Sequence, residues 1–282
     1  MKIKRISKTN IKEFEKSYLS INKPVIVTDA MGNWRAFKVW SFPYFDKNFG
    51  NDMVQAYDDL FNLIDVITLK EYIGKYIGQD IPDEGIPYVR WYTRLKTDDF
   101  IWADEFFEKI KTDWSLPYFI PNNNYLFPYC STQNTINPVH SIFPAKGIFI
   151  SAAGARTKLH KDPWCSDAIL CQIVGRKKII MYSPNQEEYL SEKNNYIDIE
   201  QPDLRLFPNF SKASPAFVDV LEPGEIIFIP HGWLHHVSTI SDSISLTWNF
   251  VHASTANHFI KYLINDKLTS EERAIIKFFI EN

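Results

Sequence analysis

Cysteine is scarce. Cys130, Cys165 and Cys171 are the three in 282 residues, an odd number with no C-x-x-C pair. That spacing points away from a disulfide framework and toward reduced, mostly buried thiols in a cytoplasmic protein. Long apolar runs are absent too. No stretch reaches the roughly 18 apolar residues of a transmembrane helix, and the basic start MKIKRISKTNIKEFEK has no apolar run behind it, so neither a membrane span nor a signal peptide is expected. Excess positive charge is also missing: the net charge is −3, which supplies no global pull toward nucleic acid or an anionic membrane. Repeats and low-complexity segments are not found. What is there is globular composition, 45% hydrophobic and 15% aromatic, on a chain long enough for one large domain or two small ones.

The first 124 residues mix helices and strands. Asn10 with Glu13 resembles a capping box, opening a helix to about Leu19. KPVIVTDA, residues 23–30, is a β-branched run after a proline and reads as a buried strand. Ser41 precedes FPYFDKNFG, a helical piece that Gly50 stops. Thr68 precedes LKEYIGKYI, whose Leu69, Tyr72, Ile73 and Tyr76 fall at helical spacing. IPYVRWYTRL, 86–95, alternates as a strand does; DDFIWADEFFEKIKTDW reads as another helix, and PYFIPNNNYLFPY, 118–129, as a loop or a boundary between layers.

From about 146 to 251 the pattern changes. GIFISAA, AILCQIV, KKIIMY, AFVDVL, EIIFIP, HHVSTI and ISLTWNFV follow one another, joined by turn residues such as GR at 175–176 and EPGE at 222–225. Many short strands with tight turns make a sandwich or barrel. Two helical segments then close the chain. Thr269 or Ser270 caps the last, whose Ile275, Ile276, Phe278 and Phe279 form an apolar face that is either core or a homodimer contact.

Two stretches carry chemistry. In TKLHKDPW, 157–164, His160 and Asp162 stand two apart, and residues i and i+2 of a strand share a face. In IPHGWLHHV, 229–237, a proline ends an apolar strand and an aromatic precedes a pair of histidines, of which alternation admits one to a barrel interior. Two histidines and a carboxylate hold one face of an octahedral iron(II) and leave three positions open, for a bidentate co-substrate and dioxygen together. An isolated H-x-D is common by chance; joined to EPGE and IP-x-GW-x-H on a many-stranded chain it is specific. His231, four before His235, lacks the glutamate of an H-E-x-x-H site and reads as loop. His140, His252 and His258 belong to no constellation, and Cys165 has nothing beside it that marks a nucleophile. Lys161, Trp164 and Arg90 could face substrate, though no spacing demands it.

With these motifs the sequence resembles the JmjC/cupin-like family of iron(II)- and 2-oxoglutarate-dependent oxygenases, over roughly residues 22–252 and most strongly across 147–182 and 217–251. The resemblance implies a mainly β fold with flanking helices: a double-stranded β-helix, or jelly roll, with an N-terminal α/β elaboration and C-terminal helices. It implies one oxygenase domain over 1–252, with the elaboration over 1–124 and the barrel core over about 125–252, followed by a helical segment over 253–282. It implies metal ligation by His160, Asp162 and His235, the last favoured over His236, although Leu234 stands where the family often has a second tryptophan. QIVGRKKIIMY matches a hairpin whose lysine, here Lys177, pairs with the distal carboxylate of 2-oxoglutarate; the neighbouring Lys178 is the competitor. Thr157 matches a hydroxyl that contacts the co-substrate, and facing the site requires the strand to bend there. Asn249, on the polar stripe Ser245, Thr247, Asn249, matches a pocket-lining asparagine. Tyr88 in PYVRWY aligns less well with a co-substrate tyrosine. The implied cofactors are Fe(II), 2-oxoglutarate and dioxygen. The expected function is hydroxylation of a protein or peptide side chain, with no nucleic acid and no membrane; the alternatives are a small-molecule hydroxylase, an N-methyl-lysine demethylase and a non-catalytic metal-binding protein.

Overall fold

The structure, a computed structural model, describes residues 1–80, 85–93, 103–127, 146–193, 195–265 and 268–281. Eight antiparallel strands make the barrel: β1 (Gly147–Ser151), β2 (Arg156–His160), β3 (Asp167–Val174), β4 (Lys177–Tyr182), β5 (Phe217–Leu221), β6 (Ile226–Ile229), β7 (Leu234–Thr239) and β8 (Ser243–His252). They divide into two sheets, in the orders β6-β3-β8-β1 and β5-β4-β7-β2. Consecutive strands alternate between the two sheets, except that β4 and β5 pair within the second, and this is the jelly roll that the strand pattern anticipates. The first sheet extends at both edges into the N-terminal part. Strands Arg5–Ile6 and Val25–Val27 add beyond β6, and strands Tyr88–Tyr92, Met53–Tyr57 and Leu63–Thr68 add beyond β1.

The first sheet is covered on both faces, so β3 and β6 read as near-continuous apolar runs, whereas β8 alternates because its inner face lines the cavity. On β3, Ile169, Cys171 and Ile173 face the N-terminal helices, whereas Ala168 and Leu170 face the second sheet. On β8, Ile244, Leu246, Trp248 and Phe250 enter the outer core, leaving Ser245, Thr247 and Asn249 for the other side. The outer core is aromatic: Phe14, Phe45, Phe106, Phe119 and Trp248 are fully buried in it.

Local signals act as their chemistry requires. Thr68 and Glu71 close a full capping box on helix Leu69–Tyr76, and Ser41 accepts from Tyr44 N–H at 3.3 Å to start helix Phe42–Phe49. At the N-terminus the box is only half made. Asn10 accepts from Glu13 N–H, but the Glu13 carboxylate takes the Thr9 hydroxyl, and the helix widens into a π turn over Glu15–Leu19. In the expected 98–114 helix the described helix is Asp104–Lys109. The hairpin Met53–Tyr57/Leu63–Thr68 is not announced by the sequence pattern, because Leu63 and Ile64 are exposed and its apolar residues do not alternate. Gly175 turns β3 into β4 with φ +71°, where a Cβ would collide with the Asp242 carbonyl. Thr269 accepts from Glu272 N–H at 3.1 Å and caps the last helix, Ser270–Glu281. Of that helix's expected apolar face, Ile276 is buried, and the side chains of Ile275, Phe278 and Phe279 lie outside the description, as do Cys130 and His140. Among the described residues no helix is long and apolar enough to cross a membrane.

Candidate metal and co-substrate site

A cavity of about 70 Å³ opens between the two sheets, room for on the order of five waters. His160 ends β2, Asp162 follows in extended conformation (φ −63°, ψ 144°), and His235 lies on β7 directly opposite His160 in register. One ligand atom from each falls within 4.8 Å of the others, and the two imidazole centroids are 4.1 Å apart. His236 points the other way: its Nε2 meets Glu200 at 3.1 Å and Ser238 at 3.0 Å. Alternation along β7 is therefore what separates the two histidines.

The residues fit a divalent metal on three grounds. His160 Nδ1 lies 2.8 Å from the Lys158 carbonyl and His235 Nδ1 lies 3.1 Å from the Trp233 carbonyl. A carbonyl only accepts, so each Nδ1 carries the proton and each Nε2 lone pair is free for a metal. Burial, then the neighbouring His235, hold His160 well below its ordinary pKa, in the neutral form that ligation needs. Asp162 Oδ2 is buried without a hydrogen-bond partner among the described residues, and burial raises its carboxyl above the usual range. A cation between the three groups would offset that cost.

The other expected residues line the same cavity. On β4, Lys177, Ile179 and Met181 are buried while Lys178 is exposed, so the inward lysine is Lys177. Its ammonium sits 5.3 Å from the Phe149 ring centroid, and burial lowers its pKa to about 7. Thr157 also reaches the cavity. Val237 pairs with Thr157 where His235 pairs with His160, so β2 carries one extra residue between them. That bulge is the bend that strict alternation lacks. Tyr88 is buried beside Thr157, the two hydroxyls facing each other. Asn249 stands next to Asp162 and donates to Ser166 Oγ at 3.0 Å.

Several residues were not separable in the sequence. Phe61 enters from the hairpin loop, which Asp58 holds by accepting from Leu60 and Asn62 N–H, and its ring lies 4.9 Å from that of His160. Of the three substrate-facing candidates, Arg90 lines the cavity; Lys161 pairs with Glu187 at 2.6 Å, and Trp164 packs on Phe127. His231, which reads as loop, sits in a turn but is buried. Asp167 Oδ1 accepts from its backbone N–H at 2.8 Å and faces its Nδ1 at 2.9 Å. This pair ties the segment after Asp162 to the segment before His235, bracing the two halves of the triad. No spacing rule links residues 64 apart, so only packing shows it.

Residues 74–256, well over half of the chain, match the family model for a cupin-like domain. Arginine-specific demethylase JMJ20 of Arabidopsis thaliana is 26% identical, over 92% of this chain and 59% of its own. The 2-oxoglutarate and iron-dependent oxygenase JMJD4 of Gallus gallus is 26% identical, over 97% and 65%. Lysine-specific demethylase 8 of Xenopus tropicalis is 28% identical, over 85% and 51%. The chain thus spans about half to two-thirds of the length of these relatives. The family match runs through both sheets and both halves of the triad, and the chain belongs to the cupin-like (JmjC) domain family.

Proposed function

We propose that this protein is an iron(II)- and 2-oxoglutarate-dependent dioxygenase that hydroxylates a protein or peptide side chain. The observation that carries the reading is the convergence, in one cavity, of a 2-His-1-carboxylate set with two pre-set Nε2 lone pairs and an inward lysine that lacks an anionic partner among the described residues. His160, Asp162 and His235 would hold the metal, and Lys177, with the Tyr88 and Thr157 hydroxyls, would receive the distal carboxylate of the co-substrate. When bound, iron(II) and 2-oxoglutarate supply the activation of dioxygen that puts one oxygen atom into a substrate C–H bond and leaves succinate and carbon dioxide. The chain's own residues orient and exclude. The Lys158 and Trp233 carbonyls fix the imidazole planes, Asn249 steadies the Ser166 turn beside Asp162, and Ile229, Leu170 and Phe149 keep the inner end dry.

The cavity suits a small dicarboxylate, so a larger substrate would present one side chain at its mouth. The net charge of −3 favours protein over nucleic acid. Free Cys171 and Cys165 fit a reducing, cytoplasmic setting. Self-association through the C-terminal helices belongs to the same reading and is tested by light scattering. The names of two relatives, both demethylases, favour N-demethylation as the second reading. The deciding experiment follows succinate release from the iron-loaded protein with peptide, amino-acid and RNA pools, and weighs the stimulating substrate by mass spectrometry. A gain of one oxygen supports hydroxylation, loss of a methyl group supports the second reading, and no succinate with any pool refutes both.

A further inference from the structure

Arg90 is the cavity's unexplained cation. It lies on strand Tyr88–Tyr92 opposite Phe149 in register and lines the same space as the triad. A guanidinium has five N–H donors. Here one reaches the Tyr92 hydroxyl, at a long 3.3 Å, and Nε is buried with no partner among the described residues. No carboxylate among the described residues pairs with it. Its company is aromatic: the guanidinium carbon lies 4.3 Å from the Phe61 centroid, 5.1 Å from Tyr92, 5.6 Å from Tyr57 and 5.8 Å from Phe149. Ring faces stabilise a cation but accept almost nothing from its N–H groups. Phe61 in turn packs on His160, so Arg90 stands one ring away from the metal triad.

The charges make the surplus explicit. This step rests on the dioxygenase reading above. A divalent metal with Asp162 leaves one positive charge, Lys177 adds a second, and dianionic 2-oxoglutarate cancels both. Arg90 then remains uncompensated in a place where little water reaches it. The aromatic cage that could otherwise read a methylammonium group is already filled by Arg90 itself, and an incoming cation would meet a like charge at low dielectric.

We propose that Arg90 is a specificity-determining residue that pairs with a carboxylate carried by the substrate, so that the site selects acidic targets and rejects cationic ones. The carboxylate belongs either to an acidic side chain in a peptide or to a small free acid, and the test separates these sources. Full-length protein is loaded with manganese and saturated with 2-oxoglutarate without oxygen. Binding is then measured for acetylated, amidated tripeptides with central Asp, Asn, Leu, Lys or trimethyllysine, and for free aspartate. Carboxylate probes are expected to bind at least about tenfold more tightly than the Asn, Lys and trimethyllysine peptides. Arg90→Gln should abolish that preference while manganese and 2-oxoglutarate affinities stay within threefold. Arg90→Lys, which keeps the charge over the rings but not the fork, should retain a weaker preference, and it carries the test should Arg90→Gln fold poorly. A stronger response to the Asp peptide than to free aspartate assigns the peptide source, and the reverse assigns the small acid.

The proposal is overturned by tightest binding of a cationic probe, by a preference that survives in Arg90→Gln, by no binding of any carboxylate probe, or by a loss of 2-oxoglutarate affinity in place of probe selectivity. Failure of the wild-type protein to bind manganese and 2-oxoglutarate overturns the dioxygenase reading, and this inference with it. Normal binding of both with any of the preceding results sinks the Arg90 assignment alone.

Discussion

Replacing Lys177 with Met should make the protein more stable and less able to bind 2-oxoglutarate at the same time. Lys177 is 6% exposed, has no anionic partner among the described residues, and is held by burial at a pKa of about 7 against an ordinary 10.5. At about 1.4 kcal/mol per pH unit, that difference corresponds to a buried-ammonium penalty on the order of 5 kcal/mol. The unfolded chain keeps the proton up to about 10.5 and the folded chain loses it near 7. Between those values the unfolded state binds more protons, so stability rises with pH. The penalty is therefore full below pH 7 and relieved above it. Lys177→Met, near in volume and uncharged, should exceed the wild type by a few kcal/mol at pH 6, and the gap should shrink by about 1.4 kcal/mol per unit above pH 7. Urea unfolding of both proteins at pH 6, 7, 8 and 9, without metal or co-substrate, measures the gap. Titration of 2-oxoglutarate with manganese in place of iron measures the other half. A charge-assisted hydrogen bond of roughly 1.5–3 kcal/mol implies at least a tenfold weaker dissociation constant in the variant. Wild-type affinity should also fall as pH rises above 7, because binding must then recharge the lysine, whereas the variant's affinity should stay flat. A gap independent of pH, or 2-oxoglutarate binding within threefold of wild type, would refute the reasoning.

Asp162→Ala should remove most of the bound metal, and His236→Ala should retain more than His235→Ala; metal analysis after gel filtration decides both. Asp167→Asn weakens the brace between the two halves of the triad. It should cost roughly 1.5–3 kcal/mol of stability, the range for hydrogen bonds to a charged group, and lower manganese affinity severalfold with the ligands intact. Unchanged manganese affinity would make that pair a fold contact only. Thr68→Ala opens the capping box on helix Leu69–Tyr76 and should cost about 1 kcal/mol in denaturant unfolding, with no effect on 2-oxoglutarate binding.

Local pattern and short-range stereochemistry made much of this protein legible in its sequence. Seven of the eight barrel strands follow from short apolar runs broken by turn residues, because a strand needs only local alternation or burial to declare itself; the mostly polar β2 is marked by the H-x-D motif instead. The same period of two separates His235 from His236 and Lys177 from Lys178 once the strands are assigned, and the H-x-D spacing aims two groups to one side. Three things were decided only by tertiary structure. The bulge that turns Thr157 into the cavity depends on pairing with β7, and pairing is a property of two strands. The Asp167–His231 brace joins residues far apart along the chain, and neither carries a local mark of it. Arg90 enters on an N-terminal strand that extends the first sheet past β1, and Phe61 from the hairpin loop beside it, so their nearness to His160 comes from sheet order. Sequence periodicity records which face a residue occupies; what stands opposite that face is set by long-range register and packing.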